Sequence, residues 1–163
     1  MNNPRPLHPN AERVQAALIA AGSTARVCEL TDSTRTAAEA AAALGVDVGQ
    51  IAKSLVFLAD GQAVAVVASG ADRVDTAALG LALGAERVAR ADAEAVRRAT
   101  GYPIGGVSPV GLPSALPVLV ERALDRYDVV YAAAGTPNAV FPTYCGELLR
   151  LTGGVPSEVR MDG

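Results

Sequence analysis

Thirteen of the fourteen basic residues in this chain are arginine, and the single lysine, Lys53, stands at the start of its most strand-like stretch. An ammonium is a compact point charge that fits a tight pocket and addresses one phosphate or carbonyl oxygen, whereas a guanidinium is a broad planar fork. A site shaped for the smaller group rejects arginine. In Ile51-Ala52-Lys53-Ser54-Leu55-Val56-Phe57, period-two alternation sets Lys53 on one face with Ile51, Leu55 and Phe57. The bland alternative is a solvated lysine at a strand edge, but a lone charge on an apolar face points to a pocket. Desolvation there lowers the pKa of the ammonium and an anionic partner raises it.

The second chemically suggestive run is Gly101-Tyr102-Pro103-Ile104-Gly105-Gly106-Val107-Ser108-Pro109-Val110-Gly111-Leu112-Pro113. Its glycines and prolines fix a special backbone path, and it is too apolar for a linker. Successive N–H groups in a Gly-containing turn form an anion-seeking concavity, and fixed donors aimed at a developing oxyanion typically contribute about 3–4 kcal/mol each. A plain tight connection is the alternative.

Other chemistries find little support. The only histidine, His8, lies in a Pro-flanked segment expected to be mobile, which argues against a His-based triad or metal cluster. GxxxxGK[ST] is missing, and the glycines at 101, 105 and 106 lack the strand context and GxGxxG spacing of a dinucleotide fingerprint. Cys28 and Cys145 stand far apart with no CxxC pattern and are expected as reduced core thiols. No metal or organic cofactor is expected; water as nucleophile, with a substrate supplying part of the chemistry, fits what is left.

The elements that must position these residues alternate in type. Asn10 is placed as the cap of a helix to about Ala21 with Gly22 as its stop; Ala25–Leu30 reads as a strand; Thr36 and Glu39 form a capping box before an Ala-rich helix ended by Gly45. Ser54–Ala59 and Gln62–Ala68 flank Asp60-Gly61 as a hairpin. Asp75 and Asp92 cap two further helices, the second ending near Thr100 before Gly101. Strands follow at Val118–Glu121, Val129–Ala133 and Ala139–Phe141, and Thr143 caps a closing helix through Leu151 that Gly153 ends.

A length of 163 residues, half of them hydrophobic, suits one domain. The expected division is a mobile tail over 1–10, one domain over 11–154 and a C-terminal tail over 155–163. No run of about 18 apolar residues occurs and the N-terminus lacks signal-peptide order, so a cytoplasmic protein with no membrane partner is expected. The net charge of −3 gives no global basic field. Arg87, Arg90, Arg97 and Arg98 supply a candidate local patch for nucleic acid, since screening over about 8–10 Å makes local charge matter more than the total.

Taken in order, Gln50–Phe57, Thr100–Gly111, Ala134-Gly135 and Gly146-Glu147-Leu148-Leu149 resemble the YbaK/ProX family, which includes the editing domain inserted in bacterial prolyl-tRNA synthetases and its free-standing relatives. The likeness covers roughly Ala11 to Gly154. It implies an α+β fold, a mixed, partly closed β-barrel or sheet flanked by helices, that hydrolyses the ester between a wrong amino acid and the tRNA 3′ end. It further implies that Lys53 holds the terminal adenosine and its phosphate, and that the loop from Gly105 through Gly106, Val107 and Ser108 to Pro109 sets N–H groups around the aminoacyl carbonyl. Ser54, Gly135, Thr136, Ser33 and Thr34 are the further candidates for lining the substrate site. The implied partners are the aminoacyl-tRNA 3′ end and an aminoacyl-tRNA synthetase; the oligomeric state is left open.

The chain also departs from its Cys-tRNA editing relatives. Ala133 stands where they carry serine two positions before the glycine matching Gly135, and Val140 where they carry an aspartate. Both changes remove polar groups and leave alanine, serine, threonine or a non-protein amino acid as the residue removed. Two rival readings are a non-catalytic module of the same fold that binds aminoacyl-tRNA or a synthetase, and a hydrolase of a small ester or amide.

Overall fold

A computed structural model describes residues 6–31 and 36–161. Strands β2 (Ile51–Ala59) and β3 (Gln62–Ser69) form the central hairpin, with Ala52 opposite Ser69 and Ala59 opposite Gln62. Asp60 (φ 48) and Gly61 (φ 82) both turn left-handed between them, as a tight two-residue hairpin loop demands. Side chains of β3 alternate cleanly. Ala65 and Val67 face a large core with Val14, Leu18, Phe141 and Leu148, while Val64, Val66 and Ala68 face a second core with Phe57, Leu79 and Leu119. Both faces are covered, which is why the two strands read as nearly continuous apolar runs.

Around the hairpin lie β1 (Cys28–Glu29), β4 (Val88–Arg90), β5 (Val118–Glu121), β6 (Val130–Ala133), β7 (Ala139–Thr143) and β8 (Val155–Ser157). The sheet is mixed, in the order β1-β7-β6-β2-β3-β5-β8, with β4 also on β2. Its outermost strands β1 and β8 do not pair with each other, so the expected α+β architecture is met with the sheet left open. Among the described residues five helices flank it: α1 (Pro9–Ala20), α2 (Ala37–Leu44), α3 (Thr76–Leu83), α4 (Ala93–Thr100) and α5 (Cys145–Thr152). The Thr36/Glu39 capping box and the side-chain caps of Asp75 and Asp92 form as their local sequences require.

Strand β2 is the organising element because it forks. Its edge toward β3 is paired along nearly its whole length. The other edge carries parallel β6 at Ile51–Ala52 and antiparallel β4 at Phe57–Ala59. Between these two partners, on this edge and among the described residues, Lys53, Ser54 and Leu55 have no strand beside them, and Val56 is joined only by the Ala91 N–H at 3.0 Å.

Several boundaries differ from expectation. Helix α1 begins at Pro9, whose fixed φ and missing N–H suit a first helical position, so His8 caps it by accepting the Asn10 N–H on Nδ1 at 3.1 Å. His8 is therefore part of the fold, and Pro9 and Asn10 belong to the helix and not to a tail. The strand expected over Ala25–Leu30 shrinks to two residues opposite Val140 and Ala139. Tyr144, not Thr143, precedes α5; Thr143 Oγ1 instead donates to the buried Glu147 carboxylate at 2.7 Å. Residues 155–157, expected in a tail, pair in parallel with β5 as β8. Cys28 is exposed on its edge strand, while Cys145 is buried as expected.

Candidate active site

The fork in β2 opens onto a cavity of about 570 Å³. Lys53, Ser54 and Val56 form one wall, Arg90 and Ala91 another, and Tyr131, Ala133 and Val140 a third. Gly105 and Val107 close it from the loop after α4. A lysine and a glycine 52 positions apart thus face one space.

Lys53 is partly buried, and its Nζ donates to the main-chain carbonyl of Asp72 at 2.5 Å. Burial is the main influence pulling its pKa below the ordinary 10.5, with the Arg90 guanidinium next; Asp72 acts in the opposite direction and Arg73 adds slightly to the lowering. Arg90 lies over the Phe57 ring at 5.8 Å. The cavity therefore carries two cations at one end, and the neighbouring hydroxyl, Ser54 Oγ, is buried without a hydrogen-bond partner among the described residues.

The loop owes its shape to three anchors. Gly101 ends α4 in the left-handed region at φ 80. The ring of Tyr102 is fully buried, its hydroxyl donates to the Val110 carbonyl at 3.2 Å, and Arg13 lies 5.1 Å from its centroid. Burial pushes the Tyr102 phenol up, against the pull of Arg13, so it stays a donor at neutral pH. Gly106 then donates its N–H to the Pro103 carbonyl at 2.9 Å, closing a turn whose third residue, Gly105, has φ 81. The N–H groups of Gly105 and Val107 have no acceptor among the described residues.

Gly106 has no such backbone requirement; it is needed for closeness. A Cβ there would lie 2.8 Å from the Thr136 carbonyl carbon and 2.9 Å from its Cα. The loop after α4 is pressed backbone to backbone against the β6–β7 connection, which brings Pro137 to the cavity wall.

Of the residues expected at the site, Lys53, Ser54, Gly105 and Val107 line the cavity. Gly106, Ser108, Pro109, Gly135 and Thr136 do not; they build what lies behind it. Ser108 is fully buried and accepts the Val110 N–H on Oγ at 3.0 Å, and Thr136 Oγ1 donates to Asn138 Oδ1 at 2.9 Å. Gly135, at φ 92, lets Asn10 approach, and Asn10 Nδ2 donates to the Gly135 carbonyl at 3.0 Å. Ser33 and Thr34 fall outside the described residues. Of the expected basic patch only Arg90 lines the cavity. The sequence reading missed Ile104, Tyr131 and Pro137 as lining residues, and no local signal marks them. Among the described residues no three His, Cys, Asp or Glu side chains cluster as a metal ion requires, and no helix is long and apolar enough to cross a membrane.

Comparison with known proteins gives the chain's family. Residues 31–151 match the family model of the aminoacyl-tRNA editing domain. The chain is 33% identical over 114 residues to the uncharacterised protein YwhH of Bacillus subtilis, covering 69% of this chain and 72% of YwhH. It is 34% identical over 130 residues to the proline–tRNA ligase of Bacillus licheniformis, covering 77% of this chain but 22% of that enzyme's length. A crystal structure of a proposed trans-editing enzyme for prolyl-tRNA synthetase superposes with a TM-score of 0.89 at 43% identity, covering 96% of this chain and all of the other. With the family model spanning most of its length and the same fold in a 43% identical neighbour, this chain belongs to the aminoacyl-tRNA editing domain family.

Proposed function

We propose that this chain is a trans-editing deacylase, which hydrolyses the ester joining a small wrong amino acid to the 3′-terminal ribose of a tRNA, with tRNA-Pro the first candidate. Its likeness to proline–tRNA ligases and to the proposed trans-editing enzyme supports the choice of tRNA. On this reading it works in the cytoplasm on the aminoacyl-tRNA 3′ end, after release from a synthetase. The observation that supports the reading is that Lys53, Gly105 and Val107 line one cavity at the β2 fork, with the Gly105 and Val107 N–H groups lacking an acceptor among the described residues.

The chemistry follows from those groups. Lys53, with Arg90 beside it, attracts the phosphate of the terminal adenosine. The aminoacyl carbonyl oxygen lies toward the Gly105 and Val107 N–H groups, which stabilise the oxyanion formed when water adds to the carbonyl carbon. Collapse breaks the ester C–O bond; the proton lost by the attacking water passes to the departing ribose oxygen, with the neighbouring ribose hydroxyl as relay. Amino acid and free tRNA result. Ala133 and Val140 leave the wall beside the carbonyl apolar, which suits a small side chain. Discrimination by size alone reaches only about 10–200-fold, the gap that editing exists to close.

The test is release of amino acid from Ala-, Cys-, Ser- and Thr-charged tRNA-Pro. At least one should be hydrolysed, and Lys53→Ala should lose most of that rate. Unchanged turnover in Lys53→Ala would remove the mechanism, and tight binding of every charged tRNA without release would favour a binding module.

A further inference from the structure

The mechanism uses Lys53 but leaves open what holds it in place. A four-carbon stem ending in an ammonium carries about 2 kcal/mol of rotamer entropy, so a lysine that must meet one phosphate needs a fixed partner. That partner is the peptide carbonyl of Asp72, in the loop joining β3 to α3. The loop is tied at both ends. The Gly70 N–H donates to the Ile51 carbonyl at 2.7 Å and Ser69 Oγ to the Gly49 carbonyl at 2.7 Å, while the Asp75 N–H donates to the Val159 carbonyl at 2.6 Å.

The Asp72 carboxylate pairs with arginine. Arg126, stacked 5.0 Å from the centroid of Tyr127, donates to that carboxylate at 3.1 Å and to Ser69 Oγ at 3.3 Å. Arg160 approaches the other carboxylate oxygen at 3.9 Å. Arg160 is itself held through its N–H by the buried Glu121 carboxylate at 3.1 Å, and Met161 donates its N–H to the Arg73 carbonyl at 2.7 Å. Three segments distant in sequence meet at the peptide unit that receives the ammonium.

We propose that Asp72 is a positioning residue for deacylation: held by its ion pair with Arg126, its backbone carbonyl aims the Lys53 ammonium and leaves two of its three N–H donors for the substrate. This rests on the reading of Lys53 as the group that binds substrate. The choice of a carbonyl has a consequence. A carboxylate hydrogen-bonded to Lys53 would compete directly with a phosphate, whereas a carbonyl orients the ammonium without bringing a formal charge into the contact. Among the described residues, the charged groups acting on Lys53 are Arg90 from β4 and Asp72 and Arg73 from the loop, and of these only Asp72 favours the ammonium form.

Because Lys53 is the sole lysine, lysine labelled with 13C at Cε gives a single side-chain resonance in the intact chain. In Asp72→Asn, the Lys53 titration midpoint should fall, the alkaline limb of the deacylation rate should move down with it, and kcat/KM should drop roughly tenfold. Arg126→Met should lower kcat/KM to a similar extent, and Arg126→Lys should recover most of it; it also carries the test if Asp72→Asn does not fold. An Asp72→Asn or Arg126→Met protein that keeps the wild-type Lys53 midpoint and the wild-type rate overturns the proposal. So does a shifted midpoint with an unchanged rate. A wild-type protein that hydrolyses no charged tRNA would instead defeat the deacylase reading, a result separable from the resonance measurement.

Discussion

Gly106→Ala adds one carbon at the point where the loop after α4 is pressed against the β6–β7 connection. The added Cβ would lie 2.8 Å and 2.9 Å from two backbone atoms of Thr136 and 3.1 Å from the Pro137 nitrogen. Carbon atoms prefer about 3.5–4.0 Å, so one backbone must retreat by several tenths of an ångström to about 1 Å. No side-chain rotation relieves the clash. Overpacking of this kind costs about 1–3 kcal/mol, and each kcal/mol lowers Tm by about 2–4 °C in a chain of this size. The same retreat displaces the N–H groups of Gly105 and Val107, and a misplacement near 1 Å costs up to about 100-fold in rate. Gly84→Ala is the control: at the end of α3, with φ 66 and nothing within 4 Å of a new Cβ, it carries only left-handed strain of about 1–2 kcal/mol. Thermal denaturation and single-turnover deacylation of both variants separate stability from chemistry. A Gly106→Ala protein with a lowered Tm and a wild-type rate would refute the link between loop position and catalysis.

Three further outcomes follow from the site. Since burial and Arg90 hold the Lys53 pKa below 10.5, activity should be lost as pH rises through that lowered value, once spontaneous ester hydrolysis is subtracted. The unfolded chain binds more protons between the lowered value and 10.5, so stability should rise with pH across that window; Lys53→Met should flatten the rise in urea titrations. Ser54→Ala removes a buried hydroxyl that lacks a partner among the described residues, a state that normally costs about 1–3 kcal/mol. It should raise Tm while lowering kcat/KM on charged tRNA, and a gain in both would show that the hydroxyl serves no substrate.

Features set by local sequence were legible before the fold was known. The β2–β3 hairpin follows from Asp60-Gly61 between apolar runs, and the caps at Thr36, Asp75 and Asp92 from side chains two or three residues from the groups they satisfy. Lys53 was conspicuous for being alone in its type. What escaped depends on distant partners. Strands β4 and β8 have three residues each, too few to show a period, and exist because β2 and β5 offer free edges. Ser108 and Thr136 looked like lining residues because their polarity is visible and their burial is not. Asp72 gave no signal, because its role lies in a carbonyl that every residue has.

The divided edge of β2 separates what keeps the protein folded from what its cavity admits. The long ladder with β3 and the two cores carry the fold, whereas Ala133 and Val140 approach the opening from strands on its far side. Exchanges at those two positions alter the shape and polarity of the chamber without interrupting the central hairpin. Such an arrangement lets what the chamber accepts change by single exchanges at its rim while the central ladder stays as it is.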